Sequence, residues 1–402
     1  DMGVRSSQPR SPNLNKTDGH LLKYFRNAFG AGGGGTNYVA PISGLSASGG
    51  VISDYADGPA IYRAHIFTST GTFTVSEIGS FPAEVEYLVI AGGGGGGVEG
   101  SQRGGGGGAG GYRTNVPTPI GPGNHTTTNP FPVSVTSYDV IIGAGAAGGD
   151  PGSGQGYDGG DSQFGPPSLA ARIISNGGGG GGRGSVSNSQ NEGRDGGSGG
   201  GGGSTAAGSA TEPGGATTPV TTPSPWPGPS TQGFAGGQGE HADGSWAAGG
   251  GGGGAGEAGK AGTNPNTNSS HGGDGLSNLI AGPENDSVGV VNPASPGRWF
   301  AGGGAGIHFS PGTGTGGAGG GGSTSYPGAG DDGVYATGGG GASGSVGGNG
   351  GSGIVIVRYQ IGTTGSEKAT GGSISYYSGK TIHVFLHSGT FTNDSGSPPP
   401  EA

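Results

Sequence analysis

The residues that most invite a chemical reading lie at Val140–Gly149, Val-Ile-Ile-Gly-Ala-Gly-Ala-Ala-Gly-Gly, a strand-like run followed by Gly-x-Gly-x-x-Gly. That spacing binds a dinucleotide only when a helix opens within it, so that the helix N-terminus meets the pyrophosphate. Here Gly148-Gly-Asp-Pro-Gly-Ser-Gly-Gln-Gly156 follows, which cannot make that helix. With 110 glycines in 402 residues the spacing is expected by chance. The eight histidines, among them His65, His241, His308 and His383, show no His-x-x-x-His or acidic pairing at zinc spacing. Asp150, Asp158, Asp161 and Asp331-Asp332 stand in glycine-rich turns where carboxylate and carbonyl oxygens could take Ca²⁺, but no repeating Gly-Gly-x-Gly-x-Asp array accompanies them. No Ser/His/Asp elbow or carboxylate pair is evident. The expectation is a non-enzymatic protein without cofactor or metal.

Composition narrows the class further. Hydrophobic residues are 28% of the chain and charged residues 10%, so one core of 400-residue size cannot be built. Low charge also argues against a charge-repelled disordered chain. A net charge of −10 disfavours nucleic acid, although Arg5, Arg10, Lys16, Lys23 and Arg26 make a basic N-terminal arm. There is no cysteine, hence neither a disulfide framework nor a thiolate site. No apolar run approaches the ~18 residues of a membrane span.

The elements follow from pattern. Residues 1–36 read as a docking arm whose Leu21, Leu22, Phe25 and Phe29, with Arg26 among them, recur at the spacing of a short helix capped by Asp18 and stopped by Gly30. Residues 37–91 alternate as a β module around the turn Ser69-Thr-Gly71, and residues 92–352 are a glycine-rich body interrupted by short β segments at 131–142 and 171–175. Residues 353–402 read as a second β module. Its Gly371-Gly-Ser-Ile-Ser-Tyr-Tyr and His383-Val-Phe-Leu-His-Ser-Gly-Thr-Phe-Thr repeat Gly49-Gly-Val-Ile-Ser-Asp-Tyr and His65-Ile-Phe-Thr-Ser-Thr-Gly-Thr-Phe-Thr.

Glu86-Tyr-Leu-Val-Ile-Ala91 runs directly into Gly92–Gly97, and further runs occur at Gly104–Gly108, Gly177–Gly182, Gly199–Gly203, Gly249–Gly254 and Gly338–Gly341. A flexible linker needs only Gly and Ser, whereas these runs abut apolar strands or aromatics. The alternative is a bundle of left-handed helices with three residues per turn, which have no internal hydrogen bonds and pair every N–H and C=O with a neighbour. A six-residue run spans about 19 Å in that form. The fold class expected is therefore mostly β plus polyglycine II. Small β-sandwich-like modules at both ends flank a bundle of packed polyglycine helices, with almost no α-helix. Loops between helices are where recognition concentrates, which makes Trp226, Phe234, Trp246, Trp299, Phe309 and Tyr326 the candidate receptor-binding residues.

His65–Val75, Val85–Gly97, Ala109-Gly-Gly-Tyr-Arg113, Tyr138–Gly145 and Gly353-Ile-Val-Ile-Val-Arg-Tyr359 together resemble the glycine-rich domain proteins of tailed bacteriophages, especially marine and cyanobacterial ones. The resemblance implies an exposed virion component, in which polyglycine tips of tail-fibre adhesins bind host receptors through their loops. It further implies other virion proteins and a host cell-surface glycan or protein as partners, a homo-oligomer, and a virion or extracellular location. The chain departs from those tips in carrying β modules on both sides of the glycine. A purely structural subunit of a capsid decoration or filament, with no receptor, is therefore the alternative.

Overall fold

A computed structural model describes residues 44–116, 129–151, 154–168, 171–186, 190–205, 211–219, 231–242, 246–263, 270–283, 285–292, 295–308, 314–363, 369–377 and 380–393. These residues belong to one unit, Gly44–Ala402. The expected docking arm, with Leu21, Leu22, Phe25, Arg26 and Phe29, lies outside the described residues, as do Trp226 and Phe309.

No α-helix occurs among the described residues, and several small antiparallel sheets carry the regular structure. One sheet joins β1 (Ser46–Ser48), β4 (Gly71–Glu77), β8 (Ser137–Ile141), β9 (Ser162–Gly165) and β10 (Ile173–Ser175) in that order. A second orders β2 (Val51–Asp57), β3 (Ala60–Phe67), β17 (Ile354–Thr363), β5 (Glu84–Ile90) and β6 (Tyr112–Thr114), with β7 (Phe131–Pro132) on β5. Two three-stranded sheets stand within the glycine body: β11 (Thr211–Glu212), β12 (Gly239–Ala242) and β13 (Trp246–Ala248), then β14 (Leu276–Asn278), β16 (Ser295–Phe300) and β15 (Val290–Asn292). The last strands, β18 (Ala369–Thr370), β19 (Ser373–Tyr377), β20 (Lys380–Val384) and β21 (Thr392–Asn393), form two pairs, β18–β21 and β19–β20.

β5 and β17 are the buried centre. Their near-continuous apolar sequences, Val-Glu-Tyr-Leu-Val-Ile and Ile-Val-Ile-Val-Arg-Tyr, suit strands covered on both faces. Successive residues alternate between faces. Val85, Tyr87, Val89, Val355, Val357 and Tyr359 cluster with Phe73, Tyr138 and Phe164 of the first sheet. Leu88, Ile90, Ile354 and Ile356 cluster instead with Tyr112, Leu276 and Phe300.

The placement of β17 corrects the picture of β modules on either side of the glycine. The strand expected to open the C-terminal module pairs with β3 on one edge, Val357 opposite His65, and with β5 on the other, Ile354 opposite Ile90. The opening and closing strands of the glycine body are thus neighbours in one sheet. A strand apolar on both faces needs partners on both edges and layers on both sides, and the strands following residue 364 offer neither. The glycine tracts consequently leave and re-enter at common strand ends: Ile90 pairs with both Ile354 and Tyr112, and Ser162 with Ser175.

Within the glycine body the backbone bonds outward with a period of three. Gly92, Gly95 and Val98 donate to Gly160, Tyr157 and Gly154; Gly93 and Gly96 to Gly351 and Gly348; Gly94 and Gly97 to Gly108 and Gly105, all at 2.8–3.0 Å. In return Gly178 and Gly181 donate to the carbonyls of Gly92 and Gly95, Ala146 and Gly149 to those of Gly93 and Gly96, and Gly341 to that of Gly94. The segment Gly104–Gly111 repeats the scheme: Gly105, Gly108 and Gly111 donate to Gly182, Gly179 and Asn176, and Gly106 and Ala109 to Gly250 and Gly253. Neither of these two segments forms a ladder with one partner, because successive amides point to different neighbours. Glycine is required by the approach itself: a Cβ on Gly94 would lie 2.2 Å from the carbonyl oxygen of Gly179.

Candidate functional site

At several places in the glycine body a side chain, not a neighbouring backbone segment, accepts the amide hydrogen bond. Gly177 and Gly180, three residues apart, donate to Oδ1 of Asp161 and of Asp158 at 2.8 and 3.0 Å. Ala216 donates to Asp195, Ala318 to Asp274 and Asn349 to Asp332, each at 2.7–2.8 Å. A carboxylate accepting from an N–H is a charge-assisted bond, which suits it to end a hydrogen-bonded array. Asp158 is also gripped by Arg194 through two bonds of 2.7 Å. Both carboxylate oxygens of Asp158 and Oδ1 of Asp161 are thus hydrogen-bonded within the protein. Among the described residues no group of three His, Cys, Asp or Glu could hold a metal ion.

The dinucleotide-like segment is absorbed in the same way. After β8 the chain enters the glycine body, where Ala146 and Gly149 donate to Gly93 and Gly96, and Gly148 to Oδ1 of Asn349. Its amides meet backbone and amide oxygens of the protein instead of presenting a helix N-terminus to phosphate.

The aromatic candidates separate into distinct environments. Trp299 lies in β16, 6% exposed, with its indole N–H unpartnered among the described residues. Strand β16 pairs on both edges, so Trp299 is a packing residue of a sheet and not a loop residue. Phe234 is half-buried, and its backbone amide and carbonyl bond Gly254 and Gly199. Trp246 opens β13, which hydrogen-bonds β12. Tyr326 is exposed, with the Arg103 guanidinium 4.3 Å from its ring centre. Two exposed tyrosines absent from the sequence candidates join it: Tyr157, beside Asp158, and Tyr335, whose hydroxyl donates to the Thr68 carbonyl at 3.0 Å. Polarity around these rings was legible in the sequence, but exposure was not.

The electrostatic centre of the fold sits on the sheet holding the two glycine junctions. Arg358 of β17 donates to Glu86 of β5 at 2.5 Å, to the Tyr55 hydroxyl of β2 at 2.8 Å and to Asp57 at 3.1 Å, and lies 4.2 Å from the Tyr62 ring centre. Burial alone would lower the pKa of its guanidinium, and the neighbouring Tyr55 and Glu86 outweigh that and hold it raised. Burial pushes the Tyr55 phenol up to about 12, partly offset by Arg358, and the Tyr55 hydroxyl donates to the Ile280 carbonyl at 2.6 Å. Opposite, His65 is held between the Gly49 carbonyl at Nδ1, 2.6 Å, and the Tyr359 hydroxyl at Nε2, 3.0 Å, and burial lowers its pKa. These contacts clasp β17 to strands about 290 residues earlier in the chain.

A family model for the glycine-rich domain matches residues 68–360, from the turn before β4 to the strand that closes the body. The chain belongs to this glycine-rich domain family. The matched span takes in β5, the first seven residues of β17 and every glycine run described above. Outside the matched span fall β1, β2, all of β3, the last three residues of β17 and the four strands β18–β21. No curated protein matches the chain.

Proposed function

We propose that this chain is a non-enzymatic virion fibre or adhesin protein, in which the glycine body is a bundle of polyglycine II helices and its inserts are displayed for binding a host cell-surface glycan or protein. The observation that carries the reading is the period-three bonding around Gly92–Gly97, with amides and carbonyls directed to different neighbouring segments. Three residues per turn and hydrogen bonds only between chains define polyglycine II. A scaffold locked through its backbone leaves the connecting loops free to vary, as a receptor-binding surface requires. The two core clusters on either face of the β5–β17 sheet support a sandwich-like arrangement at the root of the body.

In this reading residues 1–36 dock on other virion proteins, the particle carries several copies, and the inserts around Trp226, Trp246 and Tyr326 face the host. The test uses the purified full chain and host cells. Binding lost on replacing residues 221–230 and 243–246, and kept on deleting residues 1–30, supports the adhesin. Self-assembly without cell binding overturns it in favour of a structural subunit. The burial of Trp299 favours that second reading, since it removes one of the aromatic candidates from the binding surface.

A further inference from the structure

The C-terminal strands repeat the first hairpin in register and in detail. With Gly371 matching Gly49 and His383 matching His65, the rung Ser373–Val384 reproduces Val51–Ile66, and Thr370–Thr392 reproduces Ser48–Thr74. Gly371 and Gly372 take φ of 111° and 69°, where Gly49 and Gly50 take 113° and 63°. Nδ1 of His383 lies 2.6 Å from the Gly371 carbonyl, as that of His65 does from Gly49, and Phe391 meets the His383 ring edge-on at 5.0 Å, as Phe73 meets His65 at 5.1 Å.

What differs is the covering. In the first copy β17 runs along the outer edge of β3. Ile354 and Ile356 share a cluster with Ala64 and Ile66, while Val355, Val357 and Tyr359 share the other with Phe67 and Phe73. In the second copy β19 lies beside β2, and β20 has no other strand partner among the described residues. Val384 is 43% exposed where Ile66 is 4%, and Phe391 is 56% exposed where Phe73 is 0%. Neither 364–368, Thr-Gly-Ser-Glu-Lys, nor 394–402, with three consecutive prolines, has the sequence of a strand that could cover them.

We propose that the outer edge of β20 is a docking site for a β-strand of another polypeptide, antiparallel to Lys380–Val384, near-continuously apolar, and placing a tyrosine on Nε2 of His383. The first copy supplies the template of the occupant: a strand of the type Gly-Ile-Val-Ile-Val-Arg-Tyr. Backbone bonds along the edge supply affinity, and the side chains over Phe385 and Phe391 and the tyrosine over His383 supply register. Joining subunits through such a strand would link copies or layers of an assembly without using the glycine body.

The probe is a synthetic peptide of residues 353–360 with two added N-terminal lysines for solubility, titrated into the full chain. Expected are saturable binding by fluorescence anisotropy and new amide-exchange protection confined to residues 380–384. Tyr359→Phe in the peptide weakens binding about five- to tenfold through loss of one hydrogen bond, and Val357→Lys in the peptide abolishes it. Ile382→Glu in the protein abolishes binding while protection of β5 and β17 stays unchanged. The peptide variants keep the test valid if Ile382→Glu disturbs its own hairpin. Equal binding of a reversed-sequence peptide, or no binding at millimolar peptide, overturns the proposal. So does peptide-free dimerisation that Ile382→Glu abolishes, which assigns the edge to a second β20.

Discussion

Replacing Gly94 by alanine tests whether close backbone approach is what glycine supplies. The added Cβ would stand 2.2 Å from the Gly179 oxygen and 2.6 Å from its carbonyl carbon. Relief needs the two segments to part by about 1 Å, since carbon contacts are optimal near 3.5–4.0 Å. Backbone cannot yield as a side-chain tip does, because Gly179 is itself held by Gly108 donating to its oxygen at 2.8 Å and by its own amide donating to Ser198 at 3.0 Å. Gly94 in turn donates to Gly108 at 2.8 Å. Two or three such bonds at about 1 kcal/mol each, left unmade in a buried array, cost about 3 kcal/mol. Alanine's restriction of the unfolded chain returns about 0.4–1 kcal/mol. The net loss of about 2–2.6 kcal/mol corresponds to a roughly 30- to 80-fold fall in the protection of the Gly94, Gly108 and Gly179 amides in hydrogen exchange. Gly71→Ala is the control: its Cβ would meet Phe67 no closer than 3.6 Å, an ordinary contact, and it should leave stability unchanged or slightly raised. Equal stability of the two variants would refute the argument that the body is built on backbone contact.

Two further outcomes follow from the clasp around β17. Arg358→Ala strands the half-buried Glu86 carboxylate and removes a partner of the Tyr55 hydroxyl; it should cost about 3 kcal/mol in urea unfolding, with Arg358→Lys milder because charge is kept and the fork is lost. His65 should make the fold acid-sensitive. Its folded pKa lies below the unfolded value of 6.5, so below pH 6.5 the unfolded chain binds the extra proton and stability falls until the folded pKa is passed. Unfolding midpoints of the wild type and His65→Gln should converge as pH is lowered from 7.5 to 5, and parallel curves would exclude His65 as the source.

The order of elements was legible because its signals are local. Val-Glu-Tyr-Leu-Val-Ile ahead of Gly92, Gly-Ile-Val-Ile-Val-Arg-Tyr at its far end, the alternation of residues 60–75 and the duplicated Gly-Gly…His…Phe hairpin all rest on residue type and spacing. The family followed from the same residues. The same local logic does not give the environment of individual residues. Trp299 looked like a display residue because Ser, Pro and Gly surround it, yet β14 and β15 pair on either side of its strand and bury it. Asp158 and Asp161, set aside as a calcium site for want of a repeating array, receive the amides of Gly180 and Gly177, a role that no spacing along the chain announces.

The sequence by itself determined that glycine tracts run between apolar strands and that backbone contact must replace a large side-chain core, since 110 glycines leave little else to bury. Only the tertiary structure decided which tract lies beside which, because identical glycines carry no side-chain pattern to specify a register. It also decided that β17 returns between β3 and β5. That pairing depends on completing both faces of one sheet with residues about 260 to 300 positions apart, a condition met by packing in space and not by any spacing along the chain.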